Sequence, residues 1–258
     1  MFSANLGFLY TDLPLTERIY AAYHDGFSAV ECHFPFDTPA SELRAALEDT
    51  GLRMLGLNTF PGNVATGEFG LCAVPGRQAE ARTAIDQAVE YGAAIGATNV
   101  HVMAGRTKSS DEAQAVFKEN LQYACNLAIR QNMTILIEPI NQHDVPGYFL
   151  TSTEHARDIL DTLELENLRL MFDCYHIKKT KGDPSKQLRD HMPVIGHVQI
   201  AAVPDRGEPD QGEIDYISLI REIRALGFNG PIGAEYRPRS GSTRDGIGWL
   251  SAFKKELT

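Results

Sequence analysis

Eight times along this chain, a short apolar run rich in β-branched and aromatic residues gives way to a longer stretch of helical character. The apolar runs are Phe2–Leu9, Ala29–Phe34, Arg53–Asn58, Asn99–Ala104, Thr134–Pro139, Leu168–Cys174, Gly196–Ala201 and Ile232–Tyr236. Runs of this length, bounded by turn-forming residues, read as strands. The helical stretches are Pro14–His24, Ser41–Asp49, Arg77–Ile95, Ser110–Arg130, Ser152–Leu163, Asp183–His191, Tyr216–Leu226 and Thr243–Leu257. Gly51, Gly96 and Gly227 stand just past three of them, where a left-handed residue can close a helix. Ser110 and Ser152 open two others, each with an early acidic residue. Strands alternating with helices predict a parallel sheet, because each parallel connection needs a crossover. Eight units in 258 residues predict an α/β fold of the closed (β/α)8 barrel type, one domain over residues 1–258. An open doubly wound sheet is the alternative, but no G-x-G-x-x-G follows the first strand.

Charge and cysteine usage narrow the partners. The formal net charge is −10, which repels a phosphate backbone, so nucleic acid is not expected. The four cysteines, Cys32, Cys72, Cys125 and Cys174, form no C-x-x-C pair. That spacing fits neither a disulfide scaffold nor a cysteine zinc site, and reads as idle thiols in a reducing cytoplasm. No signal peptide is expected at MFSANLGFLYTDLP, and no apolar stretch is long enough to span a membrane. The Gly- and Pro-rich segment Thr59–Gly76 is the longest irregular stretch and is expected to lie over the top of the barrel as part of a lid. Within it, Glu68–Leu71 could cover either a substrate or a neighbouring copy. Many barrels associate, so a homo-oligomer is compatible with the chain.

Four consecutive strands of the second half each finish in a polar residue. These are Glu138 in TILIEPI, Asp173 in LRLMFDCYH, Gln199 in GHVQIA and Glu235 in PIGAEYRP, spaced 35, 26 and 36 residues apart. Carboxylates are almost never buried without a partner. In a barrel of this type the C-terminal strand ends converge on one point. Three carboxylates and an amide brought together there need a cation, and an all-oxygen set suits Mg²⁺ or Mn²⁺ better than Zn²⁺.

The stretches IEPINQHDVPGY, FDCYH, GHVQIAAVPDRGEPDQGEI and GAEYRPR resemble the hydroxypyruvate isomerase family of xylose-isomerase-like barrels. The N-terminal FSANLGFLY and AVECHFPFD and the middle GNVATGEFGLCAVPGR extend that resemblance over nearly the whole chain. VHVMAG and LNTFPGN look closer to 2-oxo-tetronate isomerases. The resemblance implies a divalent metal held by Glu138, Asp173, Gln199 and Glu235, with Glu138 and Glu235 as the proton-transfer pair. It implies a substrate-oxygen donor in His176. Related barrels place an arginine over the substrate at Arg206, where a guanidinium could grip a carboxylate bidentately. The expected reaction interconverts hydroxypyruvate and tartronate semialdehyde through an enediolate, in glyoxylate metabolism. A 2-oxo-tetronate isomerase or a ketose 3-epimerase is the alternative, although ketose epimerases usually carry His at the place of Gln199.

The bare residues allow other readings. Arg206 could instead pair with Asp205 or Glu208, and His176 could be a loop histidine with a local bond. Glu208 and Glu213 could position Arg206 or cap the next helix. His197 is expected behind Gln199 rather than as a ligand, and Asn58 could reach the site or serve a turn. A DNA-repair endonuclease would need a histidine-rich zinc cluster and a cationic groove, which a chain with eight histidines and this charge does not offer. A barrel that binds a sugar acid without catalysis is disfavoured by the paired carboxylates.

Overall fold

The computed structural model describes residues 1–257. Its strands are β1 (Phe2–Asn5), β2 (Ala29–Glu31), β3 (Arg53–Met54), β4 (Gly56–Asn58), β5 (Asn99–His101), β6 (Thr134–Ile137), β7 (Leu168–Asp173), β8 (Ile195–Ile200) and β9 (Ile232–Ala234). All pair in parallel, in the order β3-β2-β1-β9-β8-β7-β6-β5-β4. β3 and β4 are two halves of one barrel strand, interrupted at Leu55. The interruption is bridged by Leu55 N donating to Val30 O at 2.7 Å and Cys32 N to Gly56 O at 3.0 Å. Asn58 N donates to His33 O at 2.9 Å, one step nearer the mouth. The ladder thereby nearly closes as a (β/α)8 barrel.

The helices are α1 (Leu15–His24), α2 (Ala40–Thr50), α3 (Gln78–Ile95), α4 (Asp111–Ala128), α5 (Thr153–Leu163), α6 (Cys174–Lys181), α7 (Pro184–His191), α8 (Tyr216–Ala225), α9 (Thr243–Gly246) and α10 (Gly248–Leu257). The expected signals operate. Ser110 accepts from Ala113 N and Ser152 from His155 N at the starts of α4 and α5. Gly51 and Gly96 close α2 and α3 at φ 68° and 73°. Trp249 of α10 is buried edge-on against Phe2, 5.4 Å between ring centres, and donates to the Tyr236 hydroxyl at 3.1 Å. Among the described residues no helix is long and apolar enough to cross a membrane.

Two features differ from the sequence expectation. Most strands are shorter than their apolar runs, so Glu138 and Glu235 follow β6 and β9 by one residue instead of ending them. Helix α6 is not anticipated by its sequence, CYHIKKTK, because it has no apolar stripe. It forms because the Asp173 carboxylate caps it, accepting from Tyr175 N, and because Cys174–Ile177 are buried.

The Thr59–Gly76 segment lies over the top face. Gly70 bridges Ala104 in antiparallel fashion, and Ala73 N donates to Ala104 O at 2.6 Å. Gly70 and Gly105 sit back to back at φ 103° and 102°. A Cβ on Gly105 would strike the carbonyl oxygen of Gly70. Gly105→Ala therefore combines backbone strain with a clash. The expected loss is about 2 kcal/mol or more, read by urea denaturation, with faster proteolysis inside residues 59–76.

Candidate active site

At the C-terminal ends of the strands lies a cavity of about 560 Å³. Glu138, His176, Arg206 and Glu235 line its floor, and Phe8, Phe34, Val64 and Phe69 form apolar parts of its wall. Deeper in the barrel is a second space of about 20 Å³, bordered by Glu138, Gln199 and Glu235. That is room for one water-sized guest between oxygen donors.

Glu235 is the most heavily supported carboxylate. Its Oε1 accepts from Asn5 Nδ2 at 3.1 Å and faces His33 Nε2 at 3.0 Å. Its Oε2 accepts from Arg206 Nη2 at 2.5 Å. Burial alone would raise its pKa, but Arg206 and His33 more than offset this and hold it well below the carboxylate range. Arg206 also reaches Asp173 Oδ2 at 3.3 Å. Its charge is thus committed to two carboxylates, and neither Asp205 nor Glu208 is its partner.

Glu138 has the opposite surroundings. Its Oε1 is buried without a hydrogen-bond partner. Burial, then the neighbouring Glu235 and Asp173, push its pKa well above the ordinary value. Asp173 is pushed up to about 7 by burial, with Arg206 pulling the other way. Of its two oxygens, Oδ1 caps α6 by accepting from Tyr175 N at 2.9 Å, and Oδ2 faces the site.

The tautomer of His176 follows from its neighbour. Asn141 Oδ1 accepts from His143 N and Asp144 N, both at 3.0 Å, which fixes the amide orientation. Asn141 Nδ2 must therefore donate to His176 Nδ1, at 2.6 Å. The neutral ring, favoured by burial and by Arg206, which bring its pKa down to about 3, then carries its proton on Nε2. That nitrogen points between Glu138 Oε1 at 3.7 Å and Asp173 Oδ2 at 3.6 Å. Glu138, Asp173 and His176 present atoms within 4.8 Å of one another, a group that could hold a metal ion. In this tautomer His176 offers a hydrogen rather than a lone pair, and the carboxylates offer the lone pairs.

Gln199, at the end of β8, donates Nε2 to Glu31 Oε2 at 3.2 Å. Its Oε1 is buried and unpartnered. His197, two residues back on the same face, bonds the same Glu31 oxygen at 2.8 Å. Burial lowers the His197 pKa, yet Glu31 more than restores it, leaving it raised. The space for this group is a missing side chain. A Cβ at Gly233 would collide with Glu31 and lie 2.9 Å from Gln199 Cγ.

The residues anticipated from sequence thus converge: Glu138, Asp173, Gln199, Glu235, His176 and Arg206 share this corner, with His197 behind Gln199. Asn58 lines both spaces. His101 lies 3.7 Å from Glu138 with both ring nitrogens unpartnered, its pKa brought to about 3 by burial. Glu208 holds Arg239 rather than Arg206, Glu213 pairs with Lys178 at 3.6 Å, and Asp215 caps α8. Phe69 lines the cavity while Glu68 pairs with Arg77 at 2.6 Å. The four cysteines are buried and free. Sequence reasoning missed Glu31, Asn5, His33 and Asn141. A buried Glu in the run AVECHF was a readable signal for Glu31, by the argument that singled out Glu138.

The arrangement of three carboxylates at strand ends coincides with a family match. The family model for the xylose isomerase-like TIM barrel matches residues 19–253. The chain belongs to the xylose isomerase-like TIM barrel family. It is 45% identical to the 2-oxo-tetronate isomerase of Cupriavidus necator over 98% of each chain. It is 36% identical to the hydroxypyruvate isomerase of Escherichia coli, over 98% of this chain and 99% of the relative. Relatives at this identity are named isomerases, and the chain is an enzyme of that class. A crystal structure described as a family 2 AP endonuclease from Brucella melitensis superposes with a TM-score of 0.93 at 34% identity, covering 97% of this chain and 98% of that one.

The Glu31 network carries a prediction for this family member. In Glu31→Ala the imidazole of His197 and the amide of Gln199 lose a shared buried acceptor. The expected destabilisation is about 3 kcal/mol, measured by chemical denaturation. A loss below about 1 kcal/mol, within the range of an exposed ion pair, would show that the network is not closed as described.

Proposed function

We propose that this isomerase moves a proton between adjacent carbons of a short 2-oxo acid, with hydroxypyruvate and tartronate semialdehyde as the interconverted pair. One observation carries the reading: Glu138 and Glu235, three barrel strands apart, face one cavity in opposite electrostatic surroundings. Paired carboxylates with separated proton affinities are what a two-carbon proton shuttle requires.

A divalent ion fits the residues present. Glu138, Asp173, Gln199 and Glu235 would hold it, because Glu138 Oε1 and Gln199 Oε1 are buried acceptors without partners. Oxygen donors of this kind suit Mg²⁺ or Mn²⁺. When bound, the ion supplies Lewis-acid polarisation of the substrate carbonyl and balances the carboxylate charge. The remaining work falls to the chain. One carboxylate takes the proton from the hydroxyl-bearing carbon; the C–H electron pair becomes the new C=C bond of an enediolate, the carbonyl π pair moves onto its oxygen, and the hydroxyl proton passes from the C3 oxygen to the C2 oxygen as the aldehyde forms. The carboxylate on the other side returns a proton to the former carbonyl carbon. Substrate and product have the same composition, so no external oxidant or reductant is consumed. His176 donates its Nε2 hydrogen to a substrate oxygen, and Arg206 keeps Glu235 ionised and adds positive charge beside the developing oxyanion. The phenyl rings of the wall limit access of water.

The C. necator relative supports a second reading in which the substrate is a four-carbon 2-oxo-tetronate. The cavity of about 560 Å³ has room for the extra carbon. Its relation to an endonuclease structure does not redirect the reading, since the net charge of −10 opposes a nucleic-acid groove.

Proton NMR in D₂O tests both readings. With Mg²⁺, the C3 proton signal of hydroxypyruvate should decay and the hydrated aldehyde appear, and a chelator should stop both. Glu138→Gln and Glu235→Gln should each lower the rate by about 10³-fold with unchanged circular dichroism. Exchange on 2-oxo-tetronate alone selects the four-carbon reading. Absence of exchange on either acid, with metal shown to be bound, rejects the function.

A further inference from the structure

Three arginines, Arg206, Arg237 and Arg239, stand on the loops after β8 and β9 beside the cavity, and two of them are spent. Arg206 donates to Glu235 and Asp173. Arg239 donates to Asp205 at 2.7 and 3.1 Å and to Glu208 at 2.9 Å. Arg237 is the third, and among the described residues its guanidinium has no carboxylate partner. Its side chain is exposed and lines the cavity.

Its placement is nevertheless well defined. Glu235 and Arg237 flank the buried Tyr236, and both reach the cavity. The Tyr236 hydroxyl is held by Trp249 on the far side. Arg237 N donates to Arg206 O at 2.8 Å, tying the two loops together. Its guanidinium lies 5.0 Å from the centre of the Phe8 ring, which also carries Arg206 at 5.0 Å. Phe8 in turn stands edge-on to His33, 4.9 Å between ring centres. A guanidinium stacked on an aromatic face keeps its hydrogen-bonding edge free for a planar anion.

The charge pattern fixes which end of a 2-oxo acid meets it. The reacting carbons must lie between Glu138 and Glu235. The cations of that floor, Arg206 and the divalent ion it would hold, are already matched by Glu138, Asp173 and Glu235, so the acid's own carboxylate is better served by an unpaired guanidinium. That carboxylate then points outward, one bond away from the carbonyl carbon, toward the rim. Arg106 also reaches the cavity, from the segment after β5. Only Arg237 is joined through Phe8 and Arg206 to the carboxylate floor.

We infer that Arg237 is the anchor for the substrate carboxylate and the residue that selects 2-oxo acids over neutral ketoses. Arg206, by contrast, serves the carboxylates of the floor. This inference rests on the reading of the cavity as a 2-oxo acid site and names how that site recognises its substrate.

The test compares wild type, Arg237→Met, Arg237→Lys and Arg106→Met as metal-loaded full chains. Arg237 is exposed, so its variants should fold. In Arg237→Met the KM for hydroxypyruvate should rise about 100-fold, the effect of losing a charge-assisted bidentate contact, with kcat nearly unaltered. Arg237→Lys should recover part of the loss. Exchange into dihydroxyacetone, which lacks the carboxylate, should respond little to Arg237→Met. An unchanged KM, a collapse of kcat alone, or a rise confined to Arg106→Met overturns the assignment. Ligand-observed NMR with D-glycerate, which carries the carboxylate but cannot isomerise, gives a reading independent of turnover. Glycerate binding lost in Arg237→Met, in a protein that isomerises no 2-oxo acid, upholds the anchor and rejects the isomerase reading. Glycerate binding that survives Arg237→Met, or is absent from wild type, rejects the anchor whatever the turnover.

Discussion

Four carboxylates, Glu31, Glu138, Asp173 and Glu235, are buried in one barrel interior. Their mutual repulsion is the constraint around which the upper half of the molecule is arranged. Taking an ionised carboxylate out of water is costly unless partners replace the lost hydration. Three of the four meet that demand, each differently. Glu31 is held by His197 and Gln199, Glu235 by Arg206, Asn5 and His33, and Asp173 by the backbone it caps. Glu138 is the one left with an unpartnered oxygen. The uneven distribution of support pushes the proton affinity of Glu138 up and holds that of Glu235 down.

The supporting frame is built as much from backbone as from side chains. Asp173 is at once a helix cap and a site oxygen, so the start of α6 and the placement of His176 are one event. Asn141 turns its loop with one side of its amide and selects the His176 tautomer with the other. Gly233 lets Glu31 approach because a side chain there would occupy the same volume. Such dual use explains why the corner is crowded with residues that never touch a substrate. Supporting contacts of this kind hold reacting groups in place to within a fraction of an ångström.

Much of this was legible before any coordinates. The alternation of apolar runs and helical stretches carried the barrel, because strand and helix periodicities differ and parallel strands need crossovers. Glu138, Asp173, Gln199 and Glu235 stood out because four successive strands each finish in a polar residue, and a carboxylate after ILI or LMF conflicts with burial. The unforeseen parts have a common origin. Helix α6 has no apolar stripe, so its existence depends on a cap and on burial by other segments. Asn5 and His33 look ordinary in sequence, and matter only because the barrel sets β1 between β2 and β9.

The sequence by itself determined the class of fold, the chemical type of the donors and their positions at successive strand ends, since these follow from local patterning and from the aversion of carboxylates to apolar surroundings. Tertiary structure alone decided which carboxylate lies against cations and which is left without a partner, which arginine is spent and which is free, and which nitrogen of His176 carries the hydrogen. Those properties depend on distances of a few ångströms between segments separated by tens to hundreds of residues, as Asn5 and Glu235 show. Electrostatic energy varies with such distances and with burial, and neither quantity is written in the order of residues along the chain.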